Sequence, residues 1–106
     1  MDHPIDHLYR AVQLARSDLP EQSRAARLLK DGNPKIAKKV VEEAAEVALD
    51  AVVANRDGVI QESVDLIYNL TVLWVWMGIN PAEVWHEMER REQEFGIAGK
   101  LPKEQP

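Results

Sequence analysis

Two Asn-Pro pairs constrain this chain most. Asn33-Pro34 and Asn80-Pro81 each open a run of apolar residues at helical spacing. Asparagine is a good N-cap, and proline suits the first helical position because its missing N–H would have no partner there anyway. Glu83 completes the second start as a capping-box acid. Gly32, Gly58, Gly78 and Gly96 fall at stops or turns between the runs. No period-2 run of β-branched residues lies between turn signals. The reading is therefore all-α, an antiparallel bundle of four helices, or five with a short one counted. They cover residues 5–16, a short stretch after Leu19-Pro20 as far as 30, then 34–54, 59–77 and 81–95. The chain reads as one domain over 1–106, with a mobile tail from about 97 to 106.

A chain of 106 residues buries only a modest core, and chains this short often gain stability by oligomerising. Hydrophobic residues at 45% and charged residues at 29% give an ordinary globular balance. The absence of cysteine excludes disulfides, thiolate zinc sites and cysteine nucleophiles, and suits a reducing cytoplasm. The first residues lack the pattern of a signal peptide. The oily run 64–79 is interrupted by Asp65 and Asn69 and is short for a membrane span. A net charge of −5 argues against a general nucleic-acid or membrane-surface binder. It leaves room for a phosphorylated ligand held through metal ions.

The long third segment carries two stripes. Ile36, Val40, Ala44, Val47 and Ala51 form an apolar one. Lys39, Glu43, Glu46 and Asp50 form a charged one, with Glu42 beside it. Glu43 and Glu46 are i, i+3 neighbours and can reach one point. Taken alone, such acids are ordinary helix surface. The following segment changes the balance. Glu62, Asp65 and Asn69 share one side of a helix that is apolar almost all round and so should be mostly buried. An unpaired carboxylate there costs several kcal/mol or protonates. Either a lysine or arginine compensates, or a divalent cation does. The short turn "ANRDG" makes the two helices antiparallel, so the two acid pairs can face each other. Four oxygen donors suit Mg²⁺, with Mn²⁺ as a substitute, better than zinc. Magnesium commonly completes its shell with substrate phosphates.

Glu42-Glu43-x-x-Glu46 followed by Glu62-x-x-Asp65 resembles the E-E-x-x-E…E-x-x-D signature of the MazG-like all-α nucleoside triphosphate pyrophosphatases. Within that superfamily the stretches "LPEQSRAARLLKDGNPKIAKKVVEEAAEV", "ESVDLIYNLTVLWVWMGI" and "EMERRE" are similar to the phosphoribosyl-ATP pyrophosphatase family of histidine biosynthesis. The likeness spans about residues 8–102. It implies a fold completed by dimerisation, with a tetramer as the alternative assembly. It implies Mg²⁺-dependent cleavage between the α and β phosphates of a nucleotide, releasing pyrophosphate. On the matching positions, Glu43, Glu46, Glu62 and Asp65 would hold metal, and Glu42 would serve as the catalytic acid-base group. Lys38, Lys39 and Asn69 would contact substrate. Three positions depart from the family pattern. Val41 stands where glycine is usual, Asn69 where histidine is common, and Ser23-Arg24-Ala25 in place of Ser-Tyr-Thr. These leave two further readings open, a house-cleaning pyrophosphatase with another nucleotide substrate and a non-catalytic helical dimer.

Other residues read as structural. His3 and His7, near the N-terminus, read as solvated, and His86 as a surface or interface residue. Trp74 and Trp76 are two apart, so one should pack internally while the other enters a subunit interface. Arg90 and Arg91 read equally as surface residues or as reaching substrate phosphate across a dimer.

Overall fold

The computed structural model describes residues 3–96. The chain there forms helices α1 (Pro4–Ala15), α2 (Arg24–Asp31), α3 (Asn33–Val52), α4 (Arg56–Met77) and α5 (Pro81–Phe95), with a 3₁₀ turn at Pro20–Gln22 before α2. No strand occurs among the described residues, so the all-α reading holds. The tail expected to be mobile lies outside them.

The caps show why the helices begin where they do. Asn80 and Glu83 form the expected capping box at the start of α5, and the Asn80 side chain accepts the Ala82 N–H at 2.9 Å. Ser23 caps α2 by accepting the Ala26 N–H at 3.0 Å. His3 is exposed, as expected, and also caps α1. Its Nδ1 accepts the Ile5 N–H at 3.0 Å, while the Asp6 carboxylate accepts the His3 N–H. Asn33 is corrected: it is the first residue of α3, and its neighbour Gly32 is the N-cap. Gly32 ends α2 and starts α3 at φ 93°, a left-handed value that only glycine adopts without strain. One residue thereby serves both helix ends, and Asn33 falls inside α3.

Helix α4 also begins earlier than the sequence predicts. Asn55 is the cap, and its Oδ1 accepts the Gly58 N–H at 3.0 Å. Gly58 therefore lies in the first helical turn rather than in the loop. A Cβ there would sit 2.6 Å from both Asn55 Nδ2 and Asp50 Oδ2. Glycine is needed for this close approach, and the approach locks the register of α3 against α4.

The core gathers at one end of the α3–α4 hairpin. Tyr9, Val12 and Ala15 from α1 meet Ala25, Ala26 and Leu28 from α2, Ile36 from α3, and Val72 and Val75 from α4. Trp74 packs edge-on against Trp85 of α5, with ring centroids 6.2 Å apart at 88°. Trp76 is exposed, in keeping with the expected division between the two neighbouring tryptophans. Toward the α3–α4 turn the picture reverses. Ile36 is the sole fully buried residue of α3. Val40 and Val47 of the expected apolar stripe are half-buried, and Ala44 and Ala51 are exposed. The expectation that α4 is mostly buried is likewise corrected, because Ile60, Val64 and Ile67 lie open. Ile5 and Leu8 of α1 line a cavity with Val64 and Ile67, yet both of these side chains stay exposed.

Asn55→Ala is expected to lower stability by about 1 kcal/mol. That corresponds to a Tm fall of roughly 4–8 °C for a domain of this size, read by circular dichroism. An unchanged Tm would show that the cap does not set the turn.

Candidate metal centre

The α3–α4 register brings acids from both helices to one place. Carboxylate oxygens of Glu43, Glu62 and Asp65 all lie within 4.8 Å of one another, and each of the three side chains is half-buried. Glu46, expected beside them, is exposed and lies outside this group, though its negative charge acts on Glu62. Two of the four expected ligands thus come from α4 and one from α3, with Glu46 one turn along α3 from Glu43.

Such a cluster repels itself. The Glu62 carboxyl is held above its ordinary value of 4.5, first because partial burial disfavours its charge. A hydrogen bond shared with Glu43 adds to this, followed by the charges of Asp65, Glu43 and Glu46. The donor set fits a hard divalent cation. Mg²⁺ bound at ~2.1 Å spans oxygens up to about 4.2 Å apart. Small side-chain rotations would therefore bring these three onto one ion. No thiol or imidazole belongs to the group, which favours Mg²⁺ or Mn²⁺ over zinc.

The remaining expected residues are placed around this centre. Glu42 is exposed and pairs with Lys39, whose Nζ lies 3.6 Å from its carboxylate. Lys38 is exposed on the same helix. Asn69, expected to contact substrate, lies inside the bundle. Its side chain is 1% exposed, and Nδ2 donates to the Asp65 carbonyl at 2.8 Å. In this conformation it braces the turn that carries Asp65 from inside the bundle, and its buried Oδ1 has no hydrogen-bond partner.

One contact near the centre escaped the sequence reading. Arg24, the first residue of α2, stacks its guanidinium over Tyr68 at 5.4 Å from the ring centroid. Burial raises the Tyr68 pKa, while the Arg24 charge and a hydrogen bond from the Ala25 backbone oppose the rise. The available signal was Tyr68 itself, three residues after Asp65 and so on a neighbouring face of α4. Nothing in the sequence said which residue of the preceding helix would meet it.

On α5, Glu87 lies between Arg90 and Arg91, and Arg90 also bridges to Glu94 at 3.1 Å. Hydrogen bonds from the two arginines lower the Glu87 pKa to about 2. These two residues therefore already hold a surface ion-pair network.

The two perturbed acids act on stability with opposite signs. The folded chain holds the Glu62 proton more tightly than the unfolded chain does. Its contribution is full below 4.5 and is lost as pH rises through the raised folded value. Glu87 contributes above 4.5 and loses that contribution as pH falls to about 2, a small effect at an exposed site. In a chelator, Glu62→Gln should melt with wild type at about pH 4 and above it at about pH 7. Equal melting at both values would show that the cluster carries no repulsion.

Comparison with known proteins agrees with the helical motif. The family model described as phosphoribosyl-ATP pyrophosphohydrolase matches residues 5–92. The phosphoribosyl-ATP pyrophosphatase 2 of Rhodopseudomonas palustris is 56% identical over 103 residues, covering 97% of this chain and 79% of that protein. Its counterpart from Bradyrhizobium diazoefficiens is 53% identical, covering 97% and 77%. The phosphoribosyl-ATP pyrophosphatase of Gluconobacter oxydans is 46% identical over 102 residues, covering 94% and 77%. A match over most of the chain and identity at this level make it a member of the phosphoribosyl-ATP pyrophosphohydrolase family.

Proposed function

We propose that the chain hydrolyses phosphoribosyl-ATP to phosphoribosyl-AMP and pyrophosphate, a step of histidine biosynthesis carried out in the cytoplasm. The observation that carries this is the convergence of Glu43, Glu62 and Asp65 in a chain of this family. Phosphoanhydride cleavage needs neutralised oxygens, an aligned water and a stabilised leaving group, and little covalent help.

In this reading Glu43, Glu62 and Asp65 would hold Mg²⁺, with Glu46 one turn along α3 as a further carboxylate for it. When bound, the cation would neutralise phosphate oxygens and acidify a water. Glu42 takes the proton as the water oxygen bonds to the α phosphorus. The bond from that phosphorus to the bridging oxygen breaks, and the electron pair leaves with pyrophosphate. Glu42 is solvent-exposed, adjoins Glu43 in sequence and has its carboxylate 3.6 Å from Lys39 Nζ. Lys38 and Lys39 neutralise the departing phosphates. Asn69 acts from beneath, holding the Asp65 turn.

The assembly we propose is a homodimer. On α3, Val41, Ala45, Ala48 and Val52 repeat at i, i+4, i+7 and i+11, and all are exposed. On α4, Ile60, Val64 and Ile67 do the same over two turns, at 50%, 62% and 42% exposure. A hairpin with apolar stripes on both helices is half of a four-helix bundle. A second hairpin would complete it and dry the surroundings of the acids. Among the described residues no helix is long and apolar enough to cross a membrane.

Purified protein with Mg²⁺ should release pyrophosphate from phosphoribosyl-ATP, and much less from ATP, dUTP or dCTP. Asp65→Asn should lower that rate at least about a hundredfold without loss of helical signal. Undiminished turnover in Asp65→Asn, or release from the other nucleotides alone, would overturn the proposal. Sedimentation should give twice the 12.0 kDa chain mass, and Val64→Asp should shift it to one.

A further inference from the structure

We propose that Arg24 anchors a phosphate group of the ligand that lies away from the carboxylate centre. The proposal rests on the function given above, whose substrate carries a phosphate on its phosphoribosyl part as well as its triphosphate. Arg24 sits at the solvent-exposed start of α2, and its guanidinium is held over the Tyr68 ring. Tyr68 is itself fixed. It is half-buried and stands three residues past Asp65 on α4. The arginine is therefore held beside α4 about one turn beyond Asp65.

Three features make this more than a surface stack. The first is charge. Although the chain holds 18 acidic residues against 13 basic ones, no carboxylate of the described residues forms an ion pair with Arg24. Its N–H groups remain available at the rim of a strongly acidic site. The second is chemistry. A guanidinium stacked on an aromatic ring keeps its edge free, and that edge offers the planar fork of donors that suits phosphate. A lysine could not be held in the same way. The third is space. Tyr68 forms a wall of two adjoining cavities of about 320 and 220 Å³. The larger opens on the apolar stripe assigned above to the dimer contact, while the smaller lies away from that stripe and reaches Ser23 and Ala25, on either side of Arg24 in sequence. The smaller cavity thus gives a ligand group held by Arg24 room beside the Tyr68 ring.

The test is nuclear magnetic resonance on the ¹⁵N-labelled full chain, following arginine side-chain Nε–H signals, with Arg24 assigned through Arg24→Lys. Ribose 5-phosphate is the probe and ribose the uncharged control. The Arg24 signal should shift saturably with ribose 5-phosphate and stay still with ribose. Arg24→Gln should weaken ribose 5-phosphate binding about tenfold or more. With phosphoribosyl-ATP as substrate, KM should rise about tenfold in Arg24→Gln and less in Arg24→Lys, with kcat changed by less than about twofold. A still Arg24 signal, or unaltered KM in a variant that merely melts earlier, would reduce Arg24 to a stacking residue and overturn the proposal. If wild type turns over no phosphoribosyl-ATP while ribose 5-phosphate still moves Arg24, the proposed function fails and the anchor stands for another phosphorylated ligand.

Discussion

Like-charge repulsion between two helices is the interaction around which this structure is organised. Glu43 on α3 and Glu62 and Asp65 on α4 are forced together by an antiparallel pairing whose register is fixed elsewhere, at the Asp50–Asn55–Gly58 turn. The hairpin does not form because the acids attract one another. It forms because Ile36, Val72 and Val75 lock its far end into the core and because Asn55 closes its near end. The acids are carried into proximity against their own electrostatics, and Glu62 responds by holding its proton more tightly. In the proposed function a divalent cation would relieve that repulsion.

The same geometry accounts for the uneven burial. A single short chain covers one end of the hairpin with α1, α2 and α5 and leaves the other end bare. The bare end carries the apolar stripes of α3 and α4, next to the acidic centre. Stability and chemistry are therefore linked through one surface in the proposed assembly, since covering the stripes also lowers the dielectric around the carboxylates. Asn69 shows the link from inside. A buried amide in an apolar helix is costly unless partnered, and here half of it braces the backbone of a metal-ligand candidate.

Much of this was legible in the sequence. Helix count, the α5 capping box and the approach of Glu43 to Glu62 and Asp65 across a short turn follow from local rules, whereas Glu46 stays outside that group. That Trp74 and Trp76 point to different sides followed as well, though not which of them packs inward. What was not legible depends on where the chain comes from before each element. Asn33 looked like a cap, but Gly32 had already turned the chain at positive φ. Gly58 looked like a loop residue, but Asn55 capped three residues earlier. Val41, Ala45, Ala48 and Val52 form a stripe as regular as the one that was noticed, yet periodicity alone does not say which stripe meets the core of one chain. Arg24 over Tyr68 is a contact between α2 and α4, beyond the reach of spacing along either helix.

The central claim is that the three converging carboxylates hold a divalent cation. The most direct measurement is a Mn²⁺ titration of the purified chain followed by electron paramagnetic resonance, which counts free ion. The account predicts saturable binding that Mg²⁺ competes away and that Glu43→Gln or Asp65→Asn removes while the helical signal persists. Mn²⁺ that stays free in wild type, or binds the variants equally well, would contradict it.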